Sequence, residues 1–330
     1  MQASANQISS YEADAVERGA EQYVMGLLTD QRESLTTLDS SYFEQIPVGK
    51  GYFWLVRPDY LDSDLPQFGL VDESSKLNLN TISADDLSKL VNMDEDIAGS
   101  IVDWRDEDDE PTNGGAESSI YLADSVRPHR AKNAPFETVD ELLLVHNVTP
   151  ELFYGQAALS AGTGASTSTI IGGEALDWAG WQNYFTVWNS TTSNTGTTTA
   201  SNRVNINQAP RDVLLTLPTL EEADVDKILS ARPAAIESDP TSTTWVSDAI
   251  GRTLPQQLTQ RITGAGRQFS ADIVAVSGDG RSFKHVRIVV DTLSTPVQIV
   301  YRRDLSDRGF PLDASILTSL RAGKGIGGSF

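Results

Sequence analysis

Asp106, Asp108 and Glu110 alternate at i, i+2 and i+4, and Glu117 stands twelfth counting from Asp106. Alternate side-chain oxygens followed by a distant glutamate form the ligand rhythm of an oxygen-ligated calcium loop, in which the glutamate closes the shell in bidentate fashion. A flexible loop offering many oxygens favours Ca2+ over Mg2+, and the absence of cysteine and of a neighbouring histidine disfavours zinc. Pro111 occupies the place where an EF-hand needs its turn glycine, so the spacing predicts a local site with another backbone path. Asp103, Asp109 and Asp124 stand by as reserve ligands. Without a cation these carboxylates would repel one another and loosen the loop. Catalysis finds no comparable pattern. His129, His146 and His285 are scattered, with no Gly-x-Ser-x-Gly elbow, His-Glu-x-x-His pair or cysteine nucleophile beside them, so a non-enzymatic protein is predicted.

The elements around the acidic run carry an internal echo. Leu77-Asn-Leu-Asn80 followed by Thr81 to Leu90 returns as Val204-Asn-Ile-Asn207 followed by Gln208 to Leu217. Ile101 and Arg105 then fall opposite Ile228 and Arg232. Each copy reads as an extended lead, a capped helix, a tight turn and a second helix. Ser83 stands three residues before Asp86, a capping-box spacing, and Leu87, Leu90 and Val91 form the apolar stripe behind it. The second copy starts its helix at Pro210, whose missing N–H costs nothing there. Thr138 to Val145 is a weaker half-copy. Units of this kind resemble helix-hairpin-helix or SAM-like repeats, many of which grip nucleic acid through glycine-rich turns and nearby cations. Here the turns are Asn92-Met-Asp-Glu-Asp96 and Pro218-Thr-Leu-Glu-Glu222, which would repel phosphate, so no nucleic-acid binding is expected. A nucleic-acid-binding repeat protein and an uncharacterised enzyme remain the alternative readings.

The whole chain points the same way. Its 330 residues hold 25 basic and 46 acidic side chains, a formal charge of −21 that disfavours nucleic acid and anionic membranes and favours cations and basic partner patches. No apolar run reaches the length of a membrane span. The polar, helix-like start directly after Met1 suggests that an upstream segment has been removed.

From about Ala5 to Leu38 apolar residues recur at three- and four-residue spacings, predicting one amphipathic helix. The stripe of Val16, Ala20, Tyr23, Val24 and Leu27 is expected to pack partly on a sheet and partly against partner helices. Gly51–Val56 and Phe68–Val71 read as strands separated by a turn at Pro58 to Pro66. Two Ser/Thr/Gly tracts, Gly162 to Thr169 and Ser190 to Ser201, read as loops, and between them Trp178, Trp181, Tyr184, Phe185 and Trp188 read as core. After Gly264 the period becomes two: Phe269 to Ala275, the turn Ser277-Gly-Asp-Gly280, Phe283 to Val290 and Val297 to Tyr301 predict three antiparallel strands. Arg321 to Phe330 reads as a flexible tail. The predicted class is α+β: residues 1–76 and 265–330 form one helix on an antiparallel sheet, and residues 77–264 form a large inserted α-helical domain bearing the repeats.

With that topology the chain resembles a known family. Leu77-Asn-Leu-Asn-Thr81, Asp103 to Pro111 with Gly115-Ala-Glu117 and Tyr121, Asn133 to Leu142, Val148-Thr-Pro-Glu151, Val204-Asn-Ile-Asn207 and Tyr301-Arg-Arg-Asp-Leu305 together resemble the minor pseudopilin K of bacterial type II secretion systems. The resemblance implies a pilin-like fold with a helical insertion, anchored in the inner membrane by a segment preceding this sequence and exposed to the periplasm. It implies a place at the pseudopilus tip and assembly with minor pseudopilins I and J through the N-terminal helices; contact of the insertion with secreted cargo or the outer-membrane channel is an alternative to which no residue of the sequence points. Relatives in that family bind calcium. The cysteines some relatives have are absent here, which removes any disulfide role.

Overall fold

The computed structural model describes residues 2–57, 68–112, 114–155, 170–171, 174–175, 180–192 and 197–324. The expected turn from Pro58 to Pro66, the first Ser/Thr/Gly tract, Trp178 and the last six residues lie outside them. In chain order the elements used below are α1 (Gln2–Gln31), β1 (Ile46–Val48), β2 (Gly51–Val56), β3 (Val71–Asp72), β4 (Leu77–Asn78), α2 (Ala84–Leu87), α3 (Glu95–Arg105), α4 (Ser118–Ala123), β5 (Phe185–Thr186), β6 (Val204–Asn205), α5 (Arg211–Leu215), α6 (Glu222–Ser238), β7 (Ile262–Thr263), β8 (Gln268–Val276), β9 (Phe283–Asp291), β10 (Gln298–Asp304) and α7 (Ala314–Arg321). They fall into two compact units. One takes the residues before 58, those from 68 to 72 and those from 267 onward; the other takes the residues from 73 to 266. The second unit therefore begins at Glu73, four residues before the expected Leu77. Glu73 is buried with Lys76, whose Nζ lies 2.7 Å from its Oε1, and it accepts the hydroxyl hydrogen of Thr186, a partner in that unit.

The first unit is an antiparallel sheet in the order β1-β2-β8-β9-β10, with β3 pairing the start of β8. The strand period of two sorts its side chains. Phe53, Leu55, Phe269, Ala271, Ile273, Ala275, Val286, Ile288 and Val290 share one face, and α1 lies on it through Val16, Ala20, Val24, Leu27 and Leu28. That placement corrects the expectation of a shared stripe: Val16, Ala20, Val24 and Leu27 are all buried in the chain's own core. Tyr23 is part-buried, its hydroxyl donating to Tyr42 O at 3.1 Å and its ring set edge-on to Phe53 at 5.4 Å. Packing on the sheet satisfies the helix's apolar face because each fully buried Val or Leu contributes about 1.5–3 kcal/mol. The opposite face, with Trp54 and Val276, is covered by Ile316 and Leu320 of α7, a helix not foreseen from the sequence.

The second unit repeats a backbone trajectory. β4 pairs in parallel with β5, and β6 in parallel with β7. Asn78 Oδ1 accepts the N–H of Asn80 at 2.9 Å, and Asn205 Oδ1 accepts that of Asn207 at 3.0 Å. Asn92 and Thr219, each fifteen residues beyond the start of its copy, both adopt positive φ (60° and 66°), and the next helix starts at Glu95 in one copy and Glu222 in the other. Arg105 donates to the carbonyls of Leu79 and Ile82; Arg232, its counterpart, donates to Ala209 O at 2.8 Å. Trp181, Tyr184 and Phe185 are fully buried, in line with a core role. Thr138 to Leu144 keeps its predicted cap, Glu141 Oε1 accepting Thr138 N–H at 2.9 Å, but winds as a 3-10 turn.

Candidate metal centre

The last turn of α3 and the first residue before α4 enclose the acidic loop. Ile97, Ala98, Ile101 and Trp104 bury one side of α3, and Asp103 is fully buried beside them. The helix stops where Asp106, its C-cap, turns to an extended backbone while still donating its N–H to Val102 O at 3.1 Å. The loop then returns to Glu117, the buried N-cap residue of α4. Glycine permits that return. A Cβ at Gly99 would meet Thr112 O at 2.3 Å, and one at Gly115 would meet Gly99 C at 2.6 Å and Asp103 Oδ2 at 2.1 Å.

As a result Asp103, Asp106 and Glu117 present carboxylate oxygens within 4.8 Å of one another. Thr112 N–H donates to Asp103 Oδ1 at 2.9 Å. Asp103 Oδ2, Asp106 Oδ1 and both oxygens of Glu117 are buried and accept no hydrogen bond among the described residues. Burial first, and then the charges of Asp103, Asp106, Asp109 and Asp108, push the Glu117 carboxyl up to about 7. Burial likewise raises Asp103 and Asp106. Carboxylates in this state need protons or a cation, since buried charge without a partner is strongly disfavoured. The donor set, all oxygen with no sulfur or imidazole, suits a hard divalent ion.

Of the predicted ligands, Asp106, Glu117 and the reserve Asp103 come together. The others do not join them, which corrects the alternating rhythm. Asp108 is exposed, its Oδ1 accepting Glu110 N–H at 2.9 Å, and Glu110 is exposed too. Asp109 lies 3.4 Å from Asn133 Nδ2, and Asp124 accepts the N–H groups of Val126 and Arg127. The reason is local: the chain leaves the helix at Asp106, so the third ligand comes from the helical turn before it, not from the loop after it. A carboxylate at a core-facing helix position was the readable signal for Asp103. Sequence reasoning marked Arg105 as a repeated position but missed the Gly99–Gly115 contact and the bonds by which the Arg105 guanidinium ties the end of α3 to the β4–α2 segment. The histidines stay apart from the cluster's ligands. His129 and His146 flank Tyr121, and His285 Nε2 lies 3.9 Å from Asp272 Oδ2 in the other unit.

Residues 70–155, which include the whole cluster, match the family model of the type II secretion system (T2SS), protein K. A chain from the crystal structure of the GspK-GspI-GspJ complex of the enterotoxigenic Escherichia coli Type 2 Secretion System is similar in fold, with a TM-score of 0.53 at 15% identity over 92% of this chain and 98% of that one. No curated protein matches the sequence significantly. Residues 70–155 thus carry the sequence pattern of protein K of the type II secretion system, and nearly the whole chain shares the fold of a chain in that complex.

Proposed function

We propose that this chain, a minor pseudopilin by family and fold, works as a structural component of the pseudopilus tip, seated on two other minor pseudopilins equivalent to I and J. The observation that carries the reading is the coincidence of the protein K match with a fold like that in a complex of three such proteins. A bulky helical unit interrupting a helix-on-sheet unit suits a terminal place, where nothing has to stack above it. A location on the periplasmic side of the inner membrane follows from this role; among the described residues no helix is long and apolar enough to cross a membrane. The two similar segments of the second unit are helix-hairpin-helix units kept for packing, because their turns carry carboxylates where phosphate binding needs cations.

Partner helices would meet α1 on its exposed side. Ile8 and Tyr11 are 68% and 64% exposed there, whereas Val16, Ala20, Val24 and Leu27 are already covered. Co-purification with the system's own I and J proteins tests this. An Ile8→Asp, Tyr11→Asp variant should lose the complex while keeping its circular dichroism, and Val24→Asp should unfold the first unit. A complex that survives the first variant would overturn the assignment of the face.

The same reading includes a calcium ion held by Asp103, Asp106 and Glu117, supported by their four orphaned oxygens. Its task is to tie the end of α3 to the start of α4 by supplying the positive charge the loop lacks.

A further inference from the structure

The turn after α4 differs from the rest of this acidic surface. Val126 is 81% exposed, more than any other large apolar side chain among the described residues, and Leu122 and Leu144 are each about half exposed. Two exposed arginines, Arg127 and Arg130, lie in the same turn and make no ion pair among the described residues, in a chain with 21 more acidic than basic side chains. Asp124, in the same turn, is engaged with the backbone: its Oδ1 accepts Val126 N–H at 2.7 Å and Arg127 N–H at 3.3 Å, and its charge attracts that of Arg127 through space.

The turn is also held in shape. His129 N–H reaches Tyr121 O at 3.4 Å, and its ring nitrogens lie 2.8 Å from Arg127 O and 3.2 Å from Leu144 O. Tyr121 is buried against Trp104 and accepts His146 N–H at its hydroxyl. The apolar tip and its cations are thus presented by an ordered backbone, which lowers the conformational cost of binding. An exposed valine flanked by unpaired guanidinium groups is complementary to an apolar side chain flanked by carboxylates.

We propose that the Val126 turn is a docking site for an acidic, apolar-bearing peptide segment of a partner protein. A flat anionic surface fits less well. The chain's formal charge of −21 repels an extended anionic membrane more strongly than a short segment carrying a few carboxylates.

Selection of a random short-peptide display library on the whole protein, followed by fluorescence anisotropy with the enriched peptides, tests the proposal. The expected result is enrichment of sequences with Asp or Glu around an aromatic or aliphatic residue. Their affinity should fall about tenfold or more with Arg127→Glu, Arg130→Glu, and similarly with Val126→Ser alone. Raised salt should weaken the wild-type binding. All three positions are exposed, so unchanged circular dichroism and melting temperature will show that the variants fold. Enriched peptides that are basic, peptides that bind the variants as well as wild type, or binding only to phosphatidylglycerol vesicles would each overturn it.

Discussion

Four buried carboxylate oxygens without a donor make Asp103, Asp106 and Glu117 a source of repulsion that a cation would relieve. Calcium is therefore expected to raise the melting temperature and a chelator to lower it, because a ligand bound only by the folded state adds stability by mass action. Isothermal titration should show calcium heat for wild type and none for Asp103→Asn, Glu117→Gln, and equal traces would reject the site. A sharper variant is Gly115→Ala. Its methyl group would stand 2.1 Å from Asp103 Oδ2, so calcium heat should fall with no ligand removed. An Asp108→Asn change, on an exposed residue outside the cluster, should weaken binding far less. The acidic run and Glu117 were legible in the sequence because spacing alone gathers them in a loop. The choice among seven candidate acids was not, since it depends on where α3 ends and on a glycine contact sixteen residues apart in sequence.

Between α1 and β10 one guanidinium serves two carboxylates. Arg302 lies 3.0 Å from Glu17 Oε1 and 2.9 Å from Glu21 Oε1, and Glu17 is almost fully buried. Burial and the hydrogen bond and charge of Glu21 outweigh Arg302 and raise the Glu17 carboxyl from the ordinary 4.5 to about 7. A raised folded value means that this contribution to stability is complete below pH 4.5 and is lost as pH rises through about 7. Denaturant titrations between pH 5 and 8 should show it, and Glu17→Gln should flatten that part of the profile; an unchanged profile would remove the assignment. In the second unit Arg105 and Arg232 hold the same place in two similar segments, each donating to backbone carbonyls. Replacing either with Met should cost about 1–3 kcal/mol in chemical denaturation, because hydrogen bonds from charged groups are worth more than neutral ones. The recurrence of Asn, Leu and Arg at fixed offsets made these segments legible. The helix α7 was not, because its apolar stripe of Ile316, Leu317 and Leu320 is short and stands beside a glycine-rich end that dominates the composition.

At the scale of the molecule, order along the chain and order in space differ: the first unit is built from both ends of the sequence and the second from its middle. Period-two strands before and after a helical stretch made that division readable, while the exact seam at Glu73 was set by a buried ion pair that spacing does not reveal. Each unit has its own buried core. The sheet of the first is filled by Val24, Phe53 and Ile273, and the second buries Ile101, Trp181 and Ile228. Two cores of this kind can melt separately, and the cluster of Asp103, Asp106 and Glu117 lies wholly in one of them. Differential scanning calorimetry in chelator should then resolve two transitions, of which calcium raises only one. Val24→Asp should lower the other, and Asp103→Asn, Glu117→Gln should make both insensitive to calcium. The shift should grow with the logarithm of calcium concentration once the site is saturated, as linkage requires, at about 1.4 kcal/mol per tenfold. If calcium moved both transitions together, the ion would be stabilising more than the unit that holds its three carboxylates. If it moved neither, the orphaned oxygens of Asp103, Asp106 and Glu117 would have to be satisfied by protons alone.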